Sequence, residues 1–235
     1  MFSNIYQNKK VLITGHTGFK GTWLTAWLLE LGASVIGVSK GIPTNPSMFN
    51  ELKLEDKIKN YREDIRDLPK MIDIVSTEKP DFIFHLAAQP IVSTSYSDPV
   101  ETISSNVVGT MNILEALRAS NHKCIGIIIT SDKAYDNVEQ VWGYKEDDKM
   151  GGRDIYSGSK GAAELIIKSY YHSFFNKPDC NIKLATVRAG NVIGGGDWAQ
   201  DRIVVDCIKA WSQGQIVEIR SPSATRPWQH VLEPL

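Results

Sequence analysis

Apolar residues arrive along this chain in two rhythms. Short unbroken runs, such as Val11-Leu12-Ile13 and Phe82-Ile83-Phe84, alternate with longer stretches in which apolar positions recur every three or four residues. The first rhythm fits strands buried on both faces, the second amphipathic helices. Lys10–Thr14 is the first predicted strand, ending at glycines. A helix follows on Trp23, Leu24, Trp27, Leu28 and Leu31, and Gly32 stops it. Ser34–Val38 is a second strand and Pro43-Thr44-Asn45-Pro46 a loop. The pattern then predicts a strand at Ile58–Glu63, a helix at Leu68–Thr77 and a strand at Asp81–Leu86. Asp98-Pro99-x-Glu101 marks a helix start, with Asp98 as the cap, Pro99 in the first turn and Glu101 closing a capping box, and that helix is expected to run to about Ala119. Lys123–Thr130 is a fifth strand, Asp154–Phe175 a long helix and Ile182–Arg188 a sixth strand.

Strands alternating with helices of this length predict an α/β fold, a Rossmann-type doubly wound parallel sheet. The pattern changes after Arg188, where Gly190, Gly194, Gly195 and Gly196 open an irregular stretch. Residues 1–188 therefore form the expected nucleotide-binding domain. Residues 189–235 are too few and too irregular to bury a core alone and are expected to pack on it.

Composition narrows the partners. Lys+Arg 26 against Asp+Glu 27 leaves a net charge of −1, which lacks the basic excess of a nucleic-acid binder. An apolar fraction of 42% argues against disorder. Met1–Lys10 carries no apolar core of a secretory signal, and the run Ile125–Ile129 is too short to cross a bilayer, so no membrane contact is expected. Cys124, Cys180 and Cys207 are odd in number and widely spaced; they read as reduced thiols of a cytoplasmic protein, with no metal site.

Three stretches carry candidate chemistry. Thr14-Gly15-His16-Thr17-Gly18-Phe19-Lys20-Gly21 follows a strand and opens a helix. Its glycines allow a tight turn and close approach to a pyrophosphate, with the helix N-terminus offering free N–H groups. A purely structural strand-to-helix turn is the alternative. The acidic residue expected after the second strand to meet a ribose is missing: Ser39, Lys40 and Gly41 stand there. This leaves NAD against NADP open, since a lysine suits a 2′-phosphate. Asp64, within Glu63–Asp67, is a candidate partner for the adenine amino group, or else a solvated loop charge. Tyr156 and Lys160, four apart at the start of the long helix, share one face. A lysine ammonium beside a phenol is expected to lower its pKa and let it take a hydroxyl proton near neutral pH. Thr130-Ser131-Asp132-Lys133 ends the fifth strand, where such folds place ligands, and Ser131 there completes a Ser-Tyr-Lys set; a simple turn is the alternative.

Gly15–Leu24, His85–Pro90, Thr130–Asp136, Ala189–Trp198 and Arg226–Val231 together resemble the nucleotide-sugar 4,6-dehydratases of the extended short-chain dehydrogenase/reductase superfamily, over essentially the whole chain. The resemblance implies a hydro-lyase of deoxysugar biosynthesis that holds NAD tightly, takes CDP-glucose or a related nucleotide sugar, and works in three redox-neutral steps. Tyr156 removes the sugar O4 proton while hydride leaves C4. The 4-ketone acidifies C5–H, a base removes that proton and an acid protonates the departing O6. Hydride then returns to C6. By the same resemblance Ser131 holds O4, Lys160 holds the nicotinamide ribose and the phenolate, and Asp132 is the acid for O6. Gly15, Thr17, Gly18, Phe19, Lys20, Gly21, Ser39, Asp64, Ile65, Leu86, Ala87, Ala88, Asn106 and Thr130 are the implied cofactor residues beside Tyr156 and Lys160. Gln89, Asn191, Arg202 and Arg226 are the implied substrate residues. Residues 189–235 become the start of a nucleotide-sugar-binding domain, and a homodimer is implied in which Asp98–Ala119 and Asp154–Phe175 pair with their mates as a four-helix bundle.

Two departures from the pattern stand out. Many dehydratases carry Glu as the C5 base where this chain has Lys133. A lysine must act there as a neutral amine, or as a cation on the enolate, or leave the task to another group. The resembling enzymes also continue well beyond the equivalent of Leu235, so the substrate domain is expected to be partial and its grip on the nucleotide weaker. A 4-epimerase, which needs only Ser-Tyr-Lys, and a non-catalytic NAD-binding module are the rival readings, and Asp132 favours the dehydratase. His16 and His85 read as structural.

Overall fold

The computed structural model describes residues 2–235. Six strands form one parallel sheet: β1 (Lys10–Thr14), β2 (Ser34–Val38), β3 (Lys59–Tyr61), β4 (Phe82–His85), β5 (Cys124–Ile129) and β6 (Ile182–Val187). Their order is β3-β2-β1-β4-β5-β6, the doubly wound arrangement the pattern predicts. The strand order reverses between β1 and β4, and that switch point opens a crevice at the carboxyl ends of the strands.

Alternation within each strand sends side chains to two cores. Leu12, Ile36 and Ile83 pack on one face against Met71 and Ile74 of helix Leu68–Glu78 and Ile113 and Leu117 of helix Gly109–Ser120. Val11, Ile13, Val35, Phe82 and Phe84 pack on the other against Leu24 and Leu28 of helix Phe19–Glu30.

Two long helices differ in detail from the periodic expectation. The first starts as predicted, with the Asp98 carboxylate accepting from the Glu101 backbone N–H at 2.9 Å. Pro99–Ile103 is α-helical, Ser104–Val108 is a wide π turn, and Gly109–Ser120 resumes the α-helix. The capping box does not close. The Glu101 carboxylate turns instead to Lys40, Arg66 and Ser105, because two cations outcompete a backbone amide. The second runs as α-helix over Ile155–Tyr170, capped by Asp154, and ends in a π turn at Tyr171–Phe175. The short helix Val92–Ser97 was not expected.

The segment after Arg188 is more regular than its composition suggests. β7 (Asn191–Ile193) pairs in parallel with β8 (Trp228–His230), and helix Ile203–Ser212 lies between them in sequence. It does pack on the large sheet's unit: Val231 is fully buried, Trp23 Nε1 donates to the Gly195 carbonyl at 2.9 Å, and Leu235 joins the Val11–Phe82 core.

Candidate active site

The first turn after β1 is built around close backbone contact. Gly15 sits at φ +74°, and a Cβ there would lie 2.8 Å from the Ala87 backbone. A Cβ at Gly21 would lie 2.1 Å from the Gly15 carbonyl oxygen. Helix Phe19–Glu30 begins at Gly18 with no side-chain cap and no acidic residue in its first turn. Its leading N–H groups are therefore free for an anion, as a pyrophosphate cradle requires. Thr17 closes the turn from the far side, its hydroxyl within 2.8 Å of Ser39 Oγ and 2.7 Å of the Gly41 carbonyl.

This turn forms one wall of a cleft of about 1090 Å³. Gly15, Thr17, Gly18, Phe19, Lys20, Gly21, Ser39, Asp64, Ile65, Leu86, Ala87, Ala88, Thr130, Tyr156 and Lys160 all line it, so nearly every residue predicted for the cofactor borders one space. Asn106 does not. It is 2% exposed behind the wall, where its amide accepts from Gln89 N (2.8 Å) and donates to Gln89 O (3.2 Å) and Ser159 Oγ (2.9 Å). It thus ties the end of β4 to the helix of Tyr156. Asp64 borders the cleft, but its carboxylate accepts from the backbone N–H (2.9 Å) and Nε (3.0 Å) of Arg66, which hold its carboxyl below the usual carboxylate range.

The catalytic end lies where β5 stops. Ser131, Asp132 and Lys133 line the cleft together with Tyr156 and Lys160. The Ser131 hydroxyl donates to Asp132 Oδ1 at 3.0 Å and accepts from the Lys133 backbone N–H at 3.3 Å. Lys160 Nζ stands 5.8 Å from the Tyr156 ring centroid, so ammonium and phenol face the same space. The expected lowering of the phenol by Lys160 is outweighed by burial. Burial pushes the Tyr156 phenol above its ordinary value, and the neighbouring Ser131 pulls only partly the other way. Burial also lowers Lys160 to about 8, helped by the like charge of Lys20 and opposed by Glu164. A dry pocket disfavours both charged forms.

Among the residues predicted for substrate, Asn191 and Arg202 line the cleft. Gln89 borders it too, but its side chain is spent on Ile91 and Thr102. Arg226 lies outside: it is exposed and donates to the neighbouring Thr225 carbonyl. Arg220, which the sequence reading passed over, lines the cleft instead and pairs with Asp201 at 3.0 Å. Glu164 was also missed. It is buried under β5, accepts from the Thr130 hydroxyl and pairs with Arg188 at 2.7 Å. Its place four residues after Lys160 on the same helix face was the available signal. His85 is buried between Thr14 (2.7 Å) and Thr110 (3.1 Å), and His16 packs on Phe49 and Gly37, so both are structural.

The model of the GDP-mannose 4,6 dehydratase family matches residues 12–233. A CDP-glucose 4,6-dehydratase of Salmonella typhimurium is 50% identical over 99% of this chain, and the chain spans 66% of that protein's length. The structure of MoeE5, solved with UDP-glucose and NAD, superposes with a TM-score of 0.78 at 25% identity, covering 95% of this chain and 68% of the other. A UDP-glucose 4-epimerase of Thermotoga maritima, at 24% identity over 95% of this chain and 70% of its own, shares the fold with a TM-score of 0.83.

Proposed function

The chain belongs to the GDP-mannose 4,6 dehydratase family, and on that premise we propose that it dehydrates CDP-glucose to the 4-keto-6-deoxy sugar nucleotide, with NAD as its internal hydride carrier. One observation carries this reading: Tyr156, Lys160, Ser131 and Asp132 converge on the cleft that also holds the glycine cradle. The 50% identical relative named CDP-glucose 4,6-dehydratase supports the nucleotide, and the NAD in MoeE5 supports the cofactor.

Bound NAD would supply a hydride acceptor for C4 and a hydride donor for C6. The chain's own residues supply the rest. The free N–H groups at Phe19 and Lys20 bind the pyrophosphate. Lys160 orients the nicotinamide ribose, and Ser131 positions the sugar O4 so that its proton passes to the Tyr156 oxygen. Asp132, held by Ser131, delivers a proton to O6. Lys133 works at C5, taking the proton as a neutral amine or holding the enolate as a cation. Asn191, Arg202 and Arg220 face the nucleotide diphosphate, for which arginine's forked donors are suited. Asn106 and Glu164 position the helix and strand that carry these groups.

Residues 1–188 would act as the cofactor unit and 189–235 as the opening of the substrate unit. A homodimer through a four-helix bundle is supported by apolar residues left exposed on the two long helices, Val100, Ile103, Val108 and Leu165. No helix among the described residues is long and apolar enough to cross a membrane. A cytoplasmic location is proposed on the free thiols Cys124, Cys180 and Cys207. The test is incubation of the purified protein with CDP-glucose in parallel with UDP-, GDP- and dTDP-glucose, reading the alkaline ultraviolet absorbance of a 4-keto sugar. Absorbance with CDP-glucose ahead of the others is expected; none with any of the four refutes the reading.

A further inference from the structure

The end of β2 is where folds of this kind meet the adenosine ribose, and an acid there excludes a 2′-phosphate. Here Ser39, Lys40 and Gly41 line the cleft and provide no acid. The acid arrives from elsewhere. Glu101, in the first turn of the helix that starts at Pro99, lines the same corner. Its Oε1 accepts from Lys40 Nζ at 2.6 Å and Ser105 Oγ at 3.1 Å, and its Oε2 accepts from Arg66. The remaining Arg66 donors grip Asp64 and reach Ser104 Oγ at 3.3 Å. Glu63, the other charge lining this corner, faces Lys70 at 3.8 Å. Lys40, the cation of this corner that lines the cleft, and Arg66 beside it are therefore both already paired with carboxylates.

We propose that Glu101 is the residue that selects NAD over NADP: it spans the corner from the opposite wall, satisfies Lys40 and Arg66, and sets a carboxylate where a 2′-phosphate would enter. The inference rests on the dinucleotide reading of the cleft. It also reverses what the sequence suggests, since Lys40 at this position reads as a phosphate ligand until its partner is seen. The carboxylate is held below the usual range chiefly by Lys40, so it keeps its charge at neutral pH.

The experiment is calorimetric titration of NAD+, NADP+, 5′-AMP and adenosine 2′,5′-bisphosphate into the wild-type protein, Glu101→Gln, Lys40→Met and the double variant. Wild type is expected to prefer NAD+ by at least about tenfold, because like charges meet in the disfavoured complex. Glu101→Gln is expected to tighten NADP+ and the bisphosphate by about tenfold while NAD+ and 5′-AMP stay within about threefold, since a phosphate then meets free cations. The double variant is expected to lose that gain, and Lys40→Met alone to leave NAD+ binding unchanged. An unaltered NAD+/NADP+ ratio in Glu101→Gln, or a gain that survives in the double variant, overturns the proposal. So does loss of NAD+ binding in Lys40→Met, which would make Lys40 a direct cofactor ligand. Failure of wild type to bind either NAD+ or 5′-AMP overturns the dinucleotide reading itself, and this inference with it.

Discussion

Asn106→Leu is the perturbation that separates support of the site from contact with the cofactor. The side chain is almost fully buried and serves three hydrogen bonds: from Gln89 N, to Gln89 O and to Ser159 Oγ. Ser159 in turn donates to the Tyr156 carbonyl at 2.7 Å, so the chain of bonds ends on the catalytic helix. Leucine fills similar volume but leaves the Gln89 N–H and C=O buried without partners. Each orphaned group costs about 1–3 kcal/mol, so a loss of about 3 kcal/mol is expected. For a chain of this length that is a fall of roughly 6–12 °C in melting temperature. Urea unfolding followed by far-ultraviolet circular dichroism gives the free energy, and NAD+ titration on the folded variant gives the affinity. A destabilisation below about 1 kcal/mol would refute the accounting, because two buried backbone groups cannot go unpaired so cheaply. Loss of NAD+ affinity at unchanged stability would instead make Asn106 a direct ligand.

Lys133→Met should oxidise C4 yet stall before water is lost, leaving reduced cofactor visible at 340 nm; product at the wild-type rate would remove Lys133 from the mechanism. Burial holds His16 at about 4 and His85 at about 3, below the ordinary 6.5. Below that value the unfolded chain binds protons that the folded chain does not, so stability should fall as pH drops from 6.5 toward 4, approaching roughly 2 kcal/mol per pH unit for the pair. Equal urea midpoints at pH 5 and pH 7 would contradict this. Leu165→Glu, on the exposed apolar face of Ile155–Tyr170, should convert the proposed dimer to monomer in sedimentation analysis; an unchanged mass would move the interface elsewhere.

Strands β1, β4 and β5 were legible because each is an apolar run broken at most by one glycine, whereas β3 is mostly polar and shortens from the expected Ile58–Glu63 to Lys59–Tyr61. The glycine turn and the Tyr156–Lys160 spacing were legible because both are local patterns tied to one element. What stayed hidden depends on distant partners. Glu101 has the spacing of a capping box, and only the folded chain reveals Lys40 and Arg66 within its reach. The π turns at Ser104–Val108 and Tyr171–Phe175 escape a test that assumes one helical period. The β7–β8 pair escapes because its two strands of three residues lie far apart in sequence. Arg226 and Arg220 differ little as sequence, yet one faces solvent and the other the cleft. The direction of the Tyr156 shift was misjudged because adjacency in sequence reveals a neighbour's charge but not the dryness of the pocket that holds both.

The central claim, that Tyr156 and Lys160 start an oxidation whose hydride returns within the same active site, is tested most directly with CDP-glucose deuterated at C4. Wild-type protein supplied with NAD+ should yield a 4-keto-6-deoxy product that carries the deuterium at C6, and Tyr156→Phe should slow its formation by about a hundredfold or more. Product without the label at C6, or a Tyr156→Phe variant as active as wild type, would contradict the account.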